Sequence, residues 1–114
     1  MPTDFQMREK RRGERVLIRI PVQLKAVGQD GSEVNEPAET VAVSRFGALL
    51  RTSALLKKGS DLSVTNGFSG EAEKFHVVWL GEKPSEGRWD IGIEAANPRE
   101  DFWGIRFPSA ITKG

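Results

Sequence analysis

Residues 16–27 constrain this chain more than any other stretch. Val16, Ile18, Ile20, Val22, Leu24 and Ala26 alternate with Leu17, Arg19, Pro21, Gln23, Lys25 and Val27. A period of two places one set on one face of an extended backbone and the other set on the opposite face. The pattern predicts a long, half-buried strand. A strand of that length in a small domain curves, and curvature suits a barrel. Pro21 falls on the second set and has no N–H to give to a ladder. An edge position, a bulge or a bend is therefore expected there.

The remaining chain repeats the same theme in shorter pieces. Gly28-Gln29-Asp30-Gly31-Ser32 is turn chemistry. Residues 33–39 are polar and contain Pro37, and read as a loop. Residues 40–44 predict a short strand with Val41 and Val43 on one face. Ser44-Arg45-Phe46-Gly47 interrupts it, and residues 48–52 resume as a strand. Residues 55–60 are a connection, 61–65 a strand, and Asn66-Gly67 signals a tight turn within a longer loop to Gly70. Residues 71–80 and 88–95 predict two more strands, with a Pro84-containing loop between them. In these strands Phe75, Trp79 and Trp89 alternate as core residues do.

Asn97-Pro98-Arg99-Glu100-Asp101 has the chemistry of a helix start: a capping Asn, a first-turn Pro and acids at the positive end. One or two turns are expected, with Phe102 and Trp103 packed on the body of the domain. No helix of ten or more residues separates two strands, so parallel crossovers are not expected. The fold class that follows is all-β: a six-stranded antiparallel barrel with a short C-terminal helix. With 114 residues there is room for one domain, expected over 10–108. Residues 1–9 and 109–114 are expected to be tails.

Composition limits the chemistry. The chain has no cysteine, which removes disulfides, thiolate metal sites and a Cys nucleophile. The sequence shows neither a signal-peptide pattern nor an apolar run approaching the ~20 residues that span a bilayer. A cytoplasmic protein without membrane insertion is expected. The single histidine, His76, lies within a strand pattern without partners at ligand spacing, and no metal site is expected. Ser44 has no local base, the carboxylates are scattered, and no phosphate-binding glycine fingerprint occurs. No catalytic residues and no cofactor are expected, so the chain does not read as an enzyme.

Charge is distributed unevenly. The net charge is +1. Between positions 8 and 19, however, Arg8, Lys10, Arg11, Arg12, Arg15 and Arg19 face only Glu9 and Glu14, a local +4 against −3 for everything else. An arm of this kind binds anions. Arginine supplies a planar fork that pairs with phosphate and a face that stacks on a base. A solubilising tail or a nonspecific nucleic-acid arm has the same charge. The strands lack a row of exposed aromatics for stacking bases, so a nucleic-acid partner is not expected. Ser44 and Gly47 add a hydroxyl and a position of close backbone approach at a strand interruption.

Together these residues resemble the PilZ domain family. Its signature is R-x-x-x-R before the first strand and D/N-x-S-x-x-G about thirty residues later. Arg11-Arg12-Gly13-Glu14-Arg15 matches the first part, and Ala42-Val43-Ser44-Arg45-Phe46-Gly47 the second, with Ala42 in the Asp/Asn position. Arg8/Arg12 and Arg15/Arg19 share the spacing; the double arginine just ahead of the strand favours Arg11/Arg15. Val77-Val78-Trp79 and Ile91-Gly92-Ile93-Glu94 resemble the closing strands of the family. The resemblance implies a six-stranded barrel that binds the bacterial second messenger cyclic di-GMP and signals to a downstream protein partner. Arg11, Arg12, Arg15, Ser44 and Gly47 would be the ligand-binding residues. It equally admits a degenerate, protein-binding adaptor, because Ala42 lacks the side chain that would read a guanine edge.

Overall fold

The computed structural model describes residues 15–82, 84, 86–98 and 101–105. Six strands follow in order: β1 (Pro21–Val27), β2 (Glu33–Val43), β3 (Gly47–Thr52), β4 (Asp61–Asn66), β5 (Ala72–Leu80) and β6 (Trp89–Ala95). They close into a barrel in the order β1-β2-β3-β6-β5-β4, and every pairing is antiparallel. Closure gives every strand a partner on both sides, which limits the unpaired edge that a small all-β domain must otherwise protect. The expected barrel is therefore the observed one.

The inward set of the opening alternation forms the centre. Ile20, Val22 and Leu24 are buried and meet Leu50, Val64, Phe75, Val77, Ile91 and Ile93. Burying side chains of this size contributes roughly 1.5–3 kcal/mol each. Val16 and Ile18 pack against the same core from the segment ahead of β1. The strand itself begins at Pro21 rather than at Val16, and residues 15–20 are tied to β2 by an isolated bridge, Val16 to Val43, and by bonds of Ile18 and Ile20 to Thr40. Pro21 takes the first strand position, where a missing N–H is tolerated.

β2 corrects the expected loop at 33–39. These residues form the first half of an 11-residue strand, and Pro37 pairs with Gln23 of β1. β3 joins β2 only from Glu39 onward, so β2 has an open side at Pro37. A residue without N–H on that side removes no ladder bond. The inward positions there are Val34, Glu36 and Ala38, and Glu36 beside Pro37 interrupts what would otherwise be an apolar alternation.

Two bulges bend the sheet. One lies in β2 between Thr40 and Ala42, the other in β5 between Val77 and Trp79. Each inserts a residue, sharpens the twist and changes which face the next side chain takes. The β5 bulge explains why Trp79 parts company with Phe75, while Trp89 stands at the first position of β6. Phe75 is in the core, whereas Trp79 and Trp89 are only half-buried.

Both barrel ends are stoppered. The β3–β4 connection buries Ala54 and Leu56 at one end. At the other, Phe102 and Trp103 pack on Phe75, with ring centroids 5.6 and 6.0 Å away and 4.8 Å apart from each other. The expected aromatic packing is thus present. Among the described residues there is no helix: 101–103 form a turn in which Gly104 N–H donates to the Asp101 carbonyl at 3.1 Å. The other positions of the expected helix, and both expected tails, lie outside the described residues. Among the described residues no helix is long and apolar enough to cross a membrane.

Candidate functional site

The candidate site lies at the barrel end holding the β2–β3 hairpin and the entry of the N-terminal segment. Local chemistry shapes the hairpin. Ser44 N–H donates to the Gly47 carbonyl at 2.9 Å, and the Ser44 Oγ accepts from the amides of Phe46 and Gly47, both at 3.2 Å. A serine that folds its hydroxyl back on the next amides stabilises a turn without strand pairing. Ser44 is 2% exposed, so its side chain belongs to the interior of the turn.

Gly47 has an equally structural reason. A Cβ at that position would stand 1.9 Å from the Ile93 carbonyl oxygen. β3 and β6 approach there too closely for any side chain. The Ser-x-x-Gly spacing therefore follows from how the hairpin folds and crosses β6.

The segment ahead of β1 is brought to this hairpin by backbone pairing. Val16 N–H donates to the Val43 carbonyl at 2.8 Å, and Val43 N–H donates back at 2.9 Å. Extending that register by one residue sets half-buried Arg15 opposite Ser44. Of the sequence-predicted residues, Arg15, Ser44 and Gly47 thus converge on one end of the barrel. Arg11 and Arg12 lie outside the described residues.

Thr40 holds the segment where regular pairing fails. Val16 pairs with Val43 but Pro21 with Glu39, so four residues lie between these pairs on one strand and three on the other. Ile20 N–H finds the Thr40 hydroxyl at 2.8 Å, and that hydroxyl donates to the Ile18 carbonyl at 2.6 Å. Thr40 N–H in turn donates to the Ile20 carbonyl at 3.0 Å. The buried side chain substitutes for the backbone groups that the extra residue displaces. Sequence reading placed Thr40 in a strand but had no signal for this role.

Ala42, in the Asp/Asn position, is 1% exposed. It offers neither a polar atom nor access to solvent.

Outside the hairpin, a 280 Å³ groove runs between residues 17–19 and β2, with Arg19, Glu39 and Arg51 along it. Arg51 is engaged by Asp90: Nε lies 2.9 Å from Oδ1 and Nη2 3.4 Å from Oδ2. That pairing and the nearby Glu39 raise the Arg51 pKa, so its charge is fixed at any working pH. Arg19 and Arg88 stand 3.6 and 3.7 Å from Glu39. Contacts this long between exposed groups hold weakly and are screened by salt. The outward register of Arg19 could be read from the alternation, but that it shares a groove with Glu39 and Arg51 could not. His76 is half-buried on β5, and no metal-binding group of three His, Asp or Glu occurs among the described residues.

Comparisons with known proteins add one likeness. No protein-family model matches the chain, and no curated protein does. Among solved structures the chain is similar to the PilZ domain of CeSA from a cellulose-synthesizing bacterium, with a TM-score of 0.48 and 22% identity over 75% of this chain and 84% of that one.

Proposed function

We propose that this chain is a binding module for cyclic di-GMP, with the N-terminal arginine segment closing over the ligand at the β2–β3 end of the barrel. One observation carries the reading: the Val16–Val43 pair, which holds the end of the arginine-rich segment against the hairpin of the second motif. Arg11 and Arg15 would clamp phosphate and stack on guanine, and Arg12 would add charge. The Ser44 turn and the Gly47 backbone would form the wall on which the ligand closes. The groove beside Arg19 offers the neighbouring surface. An arm ordered by its ligand gives up entropy on binding, which suits a reversible sensor.

A second reading is favoured by Ala42. A buried alanine cannot hydrogen-bond a base edge, and one lost polar partner lowers affinity about 5- to 150-fold, ~1–3 kcal/mol. In that reading the barrel is a protein-interaction adaptor with little or no nucleotide binding.

Calorimetric titration separates the two. A receptor saturates with cyclic di-GMP well below ~100 µM, and Arg11→Ala or Arg15→Ala removes the heat. A melting curve gives the same answer: ligand at 100 times its Kd adds ~2.7 kcal/mol of stability. A chain that shows neither heat nor a shifted midpoint counts against the receptor reading and leaves the adaptor reading standing.

A further inference from the structure

The end of the barrel opposite the arginine segment carries a second feature, independent of the nucleotide reading. Two cavities, of 110 and 320 Å³, meet there across Gln29, Ala54 and Leu55. The first is apolar, with Leu55, Leu80, Trp89 and Ile91 on its walls. Leu55 is 54% exposed and Leu80 36%, and Trp89 is half-buried. The second is edged by Asp30 and Glu36.

The floor between them is built rather than incidental. Gln29 N–H donates to the Leu55 carbonyl and Gln29 Nε2 to the Leu56 carbonyl, both at 3.0 Å. These two bonds pin the β1–β2 turn to the β3–β4 connection. Glu36 accepts the Ser53 hydroxyl at 2.6 Å, and Asp30 accepts the amide and hydroxyl of Ser32 at 3.0 and 2.6 Å. Those bonds from Ser32 hold the Asp30 carboxyl below the ordinary aspartate range. The cleft is thus fixed before anything enters it, which removes an ordering cost from binding.

Its charge states what it fits. Asp30 and Glu36 are its only charged lining residues, and no lysine or arginine lines it. Neither Asp30 nor Glu36 has a basic partner within ion-pair distance among the described residues. Lys57 and Lys58, in the same connection as Leu55, line neither cavity. An acidic rim repels nucleic acid and anionic membranes alike, and favours cationic partners. An apolar slot with a charged rim is the anatomy of a peptide-docking surface.

We infer that this cleft docks a basic, amphipathic segment of a partner protein, with an apolar side chain between Leu55, Leu80 and Trp89 and a neighbouring lysine or arginine at Asp30 and Glu36. Arg15, Ser44 and Gly47 lie at the other end of the barrel, so this partner and a ligand bound there would not compete for surface.

The test is selection of a phage-displayed library of random short peptides on the whole chain, followed by fluorescence titration of the selected peptides. The expected consensus pairs an aliphatic or aromatic residue with nearby Lys or Arg. Leu55→Asp, and separately Asp30→Asn with Glu36→Gln, each weaken binding about 10-fold or more, while Arg15→Ala leaves it unchanged. Leu55 and Asp30 are exposed and Glu36 is half-buried, and an unchanged melting midpoint verifies the fold of each variant. An acidic consensus, binding indifferent to both variants, or a library that yields no binder overturns the proposal.

Discussion

Val16 and Val43 exchange two backbone hydrogen bonds, 2.8 and 2.9 Å long, across the mouth of the barrel. They form an isolated bridge outside the six strands. The position of Arg15 relative to the β2–β3 hairpin depends on this pair. Val16→Pro removes one donor and biases Arg15 to an extended backbone. The loss of one net hydrogen bond lowers stability by about 1 kcal/mol, a few degrees of melting midpoint. If the arm binds cyclic di-GMP, affinity falls by far more than that stability change explains, and calorimetry of Val16→Pro beside Val16→Ile shows it.

Thr40→Val tests the patch over the irregular pairing. The substitution keeps the shape but strands the Ile20 amide and the Ile18 carbonyl, both of which meet the hydroxyl. Thr40 is 1% exposed, so water does not easily replace it. A loss of roughly 1–3 kcal/mol in a denaturant titration is expected. Thr40→Ser, which keeps the hydroxyl, avoids most of that loss.

Gly47→Ala is predicted to damage the barrel rather than a binding surface. Its Cβ would press on the Ile93 carbonyl at 1.9 Å, and a backbone oxygen cannot rotate away. β3 or β6 must move, at a cost of more than about 1–3 kcal/mol. Thermal melting without any ligand already shows the defect. Loss of nucleotide binding in this variant would therefore say nothing about a direct contact by Gly47.

Ala42→Asp brings the missing acid back to the second motif but places a carboxyl at a 1%-exposed position. Desolvation disfavours its charged form and raises its folded-state pKa above the unfolded value. Such a group takes up a proton on folding, so the penalty is largest at neutral pH and shrinks as pH falls through the raised value. The variant is expected to melt lower than the parent at pH 7 and to close the gap toward pH 4. Cyclic di-GMP that rescues its midpoint at pH 7 would show that the acid has found a partner in the ligand.

Position 37 illustrates where reading stops. Proline argues against a strand from sequence, and does so correctly for a ladder paired on both sides. Nothing local reveals that β3 joins β2 only from Glu39 onward and leaves Pro37 an open side. Trp79 is similar: alternation places it with Phe75, and the bulge after Val77 turns it toward the surface.

The sequence by itself determined the strand periodicity, the turns at Asp30 and Asn66, the inward set from Val16 to Ala26 and the concentration of arginine ahead of β1. These are local properties: they depend on side-chain spacing and on the backbone preferences of Gly, Pro, Asn and Asp. Only the tertiary structure decided that Ser44 turns inward to two amides, that Gly47 lies against Ile93, and that Thr40 mends the join to Ile20. It also set Leu55 beside Trp89 and Asp30 beside Leu55 at the far end. Each of these joins residues far apart in the chain, and their distances are fixed by barrel closure and register. No window of sequence short enough to show a period contains that information.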